Sequence, residues 1–282
     1  MKGFKRVFRY GVLSVKSELR SVNLYLVILF SGFMIQNCVG GVSDYLAENK
    51  DRMHIFELYV HFLSSQRLQI TYLLGIMAVS CGSLFYSNGA AYYLIRGNRR
   101  RWALGQVLYL LLVTAGYNLI LLFLFCFSAG GHVTFTNQWS TASVLAEQFG
   151  GTLIGLTNVV ISHGVLQMSP LSAGFITFLL SVLVGMAAGM VMICFGMRNQ
   201  GVFGAAILAI AWFADYLITG GSSLFWKVRY LSPFGLSNIS WLLYLNGNAA
   251  VRYAVVFFCI LIAIEFCILI KSAEKVDFMK LE

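Results

Sequence analysis

Few side chains in this sequence are equipped for chemistry, and their spacing limits what they could do. His54, Glu57 and His61 stand three and four residues apart, which on a helix would put them on one face. That is a spacing suited to a metal or to a pH sensor. Side-by-side wetting of an interfacial helix gives the same spacing and is preferred, so no metal ligand is assigned. Two acids, Asp215 and Glu265, fall inside apolar runs. A charge in hydrocarbon costs at least about 2.5 kcal/mol, so both are expected to face protein or a wet cavity. Four arginines, Arg96, Arg99, Arg100 and Arg101, crowd one short turn in RGNRRRW. Guanidinium forks of this density hold anionic lipid or the carboxylates of a soluble partner. Phosphate loops, HExxH and GxSxG are all absent, and no CxxC pair occurs. Catalytic and cofactor-binding residues are accordingly assigned to none.

The elements that must position these residues are membrane helices. Apolar residues make up 59% of the 282 residues and charged residues 11%, and the mean hydropathy is +0.78. A soluble domain needs more charge on its wet surface, whereas a bilayer solvates apolar helix faces directly. Long aliphatic runs and only two prolines favour helices over barrel strands. Runs long enough to cross about 30 Å of hydrocarbon lie near 22–41, 69–88, 104–127, 171–197, 202–220 and 250–270. The expected fold is therefore an all-α polytopic membrane protein, with one six-span domain over 22–270 and a tail over 271–282. All six cysteines fall in these runs and read as small packing residues.

Orientation follows from Lys and Arg. Fourteen of them fall in segment 1–21, the second-to-third connection, Arg198 and the tail; six fall on the other side. The positive-inside rule puts both termini in the cytoplasm. Connection 128–170 has no Lys or Arg, as an outside segment should. Within it, 143–166 is apolar enough to resemble a seventh span. Glu147, Gln148, Asn158, His163 and four glycines favour an external interfacial or re-entrant element instead.

The first 23 residues are too basic and too amphipathic for a signal peptide, and residues 1–21 are expected to form a cytoplasmic interfacial helix. Phe4, Val7, Phe8, Val12, Val15, Leu19 and Val22 form one stripe, and Lys2, Lys5, Arg6, Arg9, Lys16 and Arg20 cover much of the rest. That pattern predicts an amphipathic interfacial helix among anionic headgroups. Gly185 and Gly189 form a GxxxG step that permits close helix crossing, within the chain or between copies.

This arrangement resembles the type-2 ABC exporter permeases, in the stand-alone bacterial form without a nucleotide-binding domain. The likeness rests on the basic amino helix, the RGNRRRW turn, and LSPFGLS at 231–237 between the fifth and sixth spans. The resemblance implies a permease subunit of the bacterial cytoplasmic membrane, with ABC ATPase subunits and a second permease copy as partners. Cofactors are expected only there, as ATP and Mg on the separate ATPase chain. It also implies that Arg96, Arg99, Arg100 and Arg101, supported by Lys5, Arg6 and Arg9, contact that ATPase. Gln36, Asn37, Thr71, Tyr117, Asn118 and Asp215 are candidate lining residues for an amphipathic cargo such as a peptide, antibiotic or lipid. Helix-to-helix hydrogen bonding accounts for the uncharged five equally well. Membrane lipids are expected partners and nucleic acid is not, because no basic groove is present. An ion-coupled secondary transporter and a non-transporting sensor or anchor subunit are the alternative functions.

Overall fold

The computed structural model describes residues 2–82, 99–149, 161–198, 200–220 and 228–275. Five of its helices contain stretches long and apolar enough to cross a membrane: Val22–Val39, Trp102–Ser128, Pro170–Gly196, Gly201–Ile218 and Ala249–Ala273. The chain has the architecture of an α-helical, multi-pass membrane protein. In chain order the helices are α1 (Lys2–Glu18), α2 (Val22–Asn49), α3 (Glu57–Ser64), α4 (Gln66–Gly82) and α5 (Arg99–Ser128). They continue as α6 (Thr141–Phe149), α7 (His163–Leu166), α8 (Pro170–Gly196), α9 (Gly201–Gly220), α10 (Pro233–Ser237), α11 (Ile239–Asn246) and α12 (Asn248–Lys275). The expected second span, 69–88, corresponds to α4, whose apolar stretch Leu68–Ser80 is shorter than the other five. Residues 83–88 lie outside the described residues.

Local sequence sets the ends of these helices. Ser21 accepts the Leu24 amide at the start of α2, and Lys50 turns left-handed (φ 52°) to stop it. Ser169 with Pro170, and Ser232 with Pro233, start α8 and α10 by pairing a hydroxyl cap with a proline that gives up no useful donor. Asn238 ends α10 and caps α11 through the Trp241 amide.

α8 is the central helix. Its apolar stretch is 72% buried, against 17% for α9, 22% for α12, 28% for α2 and 33% for α5. The outer helices present residues such as Phe203, Ile210 and Phe213 of α9 to their surroundings, as lipid-solvated faces do. α8 packs against α4 and α5 through Gly185 and Gly189. A Cβ on Gly185 would lie 2.6 Å from Tyr72 Oη, and one on Gly189 2.5 Å from Leu110 Cδ2. The GxxxG step therefore serves packing within one chain. Around it, Ile35, Ile76, Leu121, Leu180 and Phe258 form the main core. A second cluster, including Trp102, Tyr109, Met190 and Leu269, lies at the end of the bundle that carries α1.

A cap of short elements covers the opposite end. β1 (Met53–His54) pairs in parallel with β2 (Val133–Thr134). All eight residues of α3 are buried. Ile55, just before α3, receives the Cys126 thiol, and Phe62 packs on Phe125 with ring centroids 5.1 Å apart. Seven residues of progress on one side thus match a single residue on α5, so α3 lies across α5 and not along it. Ser65, in extended conformation, makes the corner into α4. α6, α7, α10 and α11 complete the cap. Segment 143–166 is represented by α6 and α7, and its residues 150–160 lie outside the described residues.

Candidate functional site

At the α1 end, the amino helix lies against the start of α5. Gly11 and Gly105 bring the backbones close: a Cβ on Gly105 would sit 2.8 Å from Tyr10 Cβ, and one on Gly11 3.0 Å from Leu108 Cδ2. Val15 joins the Trp102 and Tyr109 cluster. Glu18, 2% exposed, accepts from Ser21 Oγ at 2.9 Å and Tyr109 Oη at 3.4 Å. Burial raises the Glu18 carboxyl above its ordinary range, and those two hydrogen bonds partly offset the rise.

Helix α1, with the two turn residues that follow it, divides into three sectors. Gly11, Val15 and Glu18 face α5. Phe8, Val12 and Leu19 are exposed beside them, and Arg9, Lys16 and Arg20 follow on the next exposed strip. The expected single apolar stripe is thus split between a protein contact and an open apolar flank.

Arg99, Arg100 and Arg101 form the first turn of α5, on the same end of the bundle as α1. Arg100 is exposed, as is Arg9. Lys5 and Arg6 belong to the first half of α1, and Arg96 lies outside the described residues. Basic positions from two sequence-distant elements therefore lie at one end of the bundle. Arg198, which donates to Ser272 Oγ at 3.2 Å, lies at this end too.

The candidate lining residues separate into groups. Gln36 and Asn37 are exposed on α2, and Thr71 is buried on α4. Tyr117 pairs with Ser31 Oγ at 2.8 Å. Asn118 Oδ1 accepts from Tyr59 Oη at 2.7 Å and Ser181 Oγ at 2.8 Å. Its Nδ2 donates to Tyr72 Oη at 3.0 Å and to the Thr114 carbonyl at 2.8 Å. Tyr117 and Asn118 therefore join helices in this conformation. Asp215, 2% exposed on α9, accepts from Gln66 Nε2 at 3.3 Å. Nearby, Gln69 donates to Phe234 O at 3.1 Å and Ser237 Oγ at 2.5 Å, and Asn238 Nδ2 donates to Ser64 O at 2.7 Å. The LSPFGLS segment is thereby tied to the α3–α4 corner.

In the cap, the expected shared helix face of His54, Glu57 and His61 is corrected. His54 belongs to β1, because its backbone is drawn into pairing with Thr134, and only Glu57 and His61 are helical. Their wetting is corrected too: all three are buried, at 3%, 0% and 2% exposure. Glu57 accepts from the His54 amide at 2.9 Å, the Ser140 amide at 3.1 Å, and the hydroxyls of Ser140 and Ser143. His61 Nε2 lies 2.7 Å from Ser143 Oγ. Among the described residues, no group of three or more His, Cys, Asp or Glu is placed to hold a metal ion.

No protein family, characterised protein or solved structure matches this chain.

Glu18, Gln69, Ser140, Ser143 and Ser181 escaped the sequence reading. Glu18 did carry a signal, being the sole acid in segment 1–21. The serines carried none, since their roles come from partners more than 60 residues away.

Proposed function

We propose that this chain is the permease subunit of an ATP-driven exporter of the type-2 ABC kind. It would have six spans, with α4 as part of the second, and both termini in the cytoplasm of a bacterium. The observation that carries this reading is the joint surface of α1 and the start of α5, in which basic residues from two elements stand on one end of an apolar bundle. Such a surface suits a soluble subunit bearing carboxylates. The short elements between α9 and α12 agree with the same resemblance. ATP and Mg would sit on the partner ATPase, and a second permease copy would complete the transporter. The cargo class is an amphipathic peptide, antibiotic or lipid. ATP-driven closure of the ATPase pair would be transmitted through α1 and α5 to the other spans.

Reversing the first turn of α5 tests the reading. The wild-type chain should co-purify with an ATP-binding subunit and stimulate its ATP hydrolysis. The triple variant R99E/R100E/R101E should insert normally yet lose at least about 90% of that stimulation, as expected when charge-assisted contacts become repulsive. Undiminished stimulation would remove the assignment of these arginines, and absence of any ATP-binding partner would remove the exporter reading itself.

A further inference from the structure

The five long helices differ in what they show to their surroundings. Away from their ends, α5 and α8 expose apolar side chains such as Leu119, Phe123 and Phe175, while their Thr114, Asn118, Thr177 and Ser181 are buried. α9 and α12 do the same. Asp215 and Glu265 are buried, and Ile210, Phe213, Ile260 and Ile264 are exposed. Hydrocarbon sorts a helix in this way because it offers a polar group no partner.

α2 departs from the pattern. Its inner face, through Val27, Ser31, Ile35 and Val39, is buried against the bundle, yet Gln36 and Asn37 stand exposed on the outer face. Both belong to the stretch Val22–Val39, which is long and apolar enough to cross a membrane. At about 1.5 Å per residue they stand roughly 20 Å along the helix from Val22, inside a hydrocarbon core of about 30 Å. Neither carboxamide has a hydrogen-bond partner among the described residues. Left in lipid, their N–H and C=O groups go unpaired, which hydrocarbon penalises.

The same face is open to a neighbouring helix. A Cβ on Gly32, one turn before Gln36, or on Gly41, one turn after Asn37, would meet nothing within 4 Å. Small residues of this kind let backbones approach where membrane helices cross. No charged residue occurs from Val22 to Ser43, so two identical faces do not repel each other.

We propose that this face of α2 is an interface between two copies of the chain, in which Gln36 and Asn37 of one copy hydrogen-bond to the same residues of the other. Copies of a polytopic chain share one orientation in the membrane. A twofold axis along the membrane normal therefore sets α2 beside α2, parallel and at equal depth. Each carboxamide carries its own electrostatic complement, a positive N–H edge and a negative oxygen. The axis then brings donor to acceptor in both directions at one level. Lipid tails supply neither. The pairing rests on the proposed function only for its expectation of a second copy, and it needs no ATPase.

The test therefore uses the whole chain alone, reconstituted sparsely in phosphatidylethanolamine–phosphatidylglycerol vesicles. In a protein with alanine at its native cysteines, Phe33→Cys lies one turn before Asn37 on the outer face of α2. Phe123→Cys, on the exposed flank of α5, is the reference. Mild oxidation should give a disulfide-linked dimer with F33C and not with F123C. Separately, the double variant Q36L/N37L, with native cysteines, is compared with wild type by energy transfer between labelled copies across protein-to-lipid ratios. Its association should weaken at least about tenfold, the effect of losing one or two interhelical hydrogen bonds in a membrane. The exchanged pair Q36N/N37Q, which keeps both carboxamides, should still associate. Cross-linking of F33C no faster than F123C overturns the pairing and leaves the face to lipid or to an unlike chain. Association undiminished in Q36L/N37L overturns it as well. The exporter reading fails on a different result, the absence of an ATP-binding subunit, so the two failures are told apart.

Discussion

Asn118 uses all four of its hydrogen-bonding positions, on α3, α4, α5 and α8 together. A buried amide so placed in a membrane bundle specifies which helices meet, because hydrocarbon offers the freed groups no other partner. Asn118→Ala should therefore lower stability by about 1–2 kcal/mol, the range for interhelical hydrogen bonds in membranes, measured by denaturation in detergent. Asn118→Leu, which restores volume but no donor, should lose about as much. Full stability in both variants would show that the tyrosines and Ser181 suffice among themselves. The type of this residue was legible in the sequence as a polar group within a span, but its choice between a path and a joint was not. That choice is made by Tyr59, 59 residues away, and Ser181, 63 residues away.

At the scale of elements, the contact between α1 and α5 is set by two glycines. Gly105→Leu places atoms where Tyr10 Cβ already lies within 2.8 Å of the first added carbon, and overpacking of this kind costs about 1–3 kcal/mol. The expected result is α1 displaced from α5, read as faster tryptic cleavage after Arg9 or Lys16 in membranes opened on that side. Unchanged cleavage would mean that lipid contact through Phe8, Val12 and Leu19 holds α1 by itself. Periodicity alone made α1 legible as an amphipathic helix. It could not divide the apolar stripe, because Val15 and Phe8 are chemically alike and only the neighbouring α5 distinguishes them. The cap elements were less legible still. α3 is an eight-residue buried helix whose depth is fixed by Phe125 and Cys126 of α5, while His54 follows β2 out of the helical pattern.

The whole molecule has two unlike ends, a basic one bearing α1 and a capped one in which connection 128–170 carries no Lys or Arg. That asymmetry orients a polytopic chain. The side chain of His163 is 72% exposed. In a protein stripped of its native cysteines, His163→Cys should react with an impermeant thiol reagent applied to intact cells. Labelling only after the membrane is opened would reverse the orientation. The long spans were legible because about 20 apolar residues in succession have few other uses, and this signal needs no tertiary partner.

The glycine seam of α8 also bears on movement. Tyr72 Oη and Leu110 Cδ2 stand where Gly185 and Gly189 would carry their first side-chain carbon. If α8 turned about its own axis, Met186 or Met190 would be driven into that space, so its rotation is sterically barred while α4 and α5 remain in place. Gly204 of α9 approaches Phe195 of α8 in the same way, with a Cβ there 3.1 Å from Phe195 Cβ. Any change of shape that turns α8 must therefore shift α4 or α5 with it.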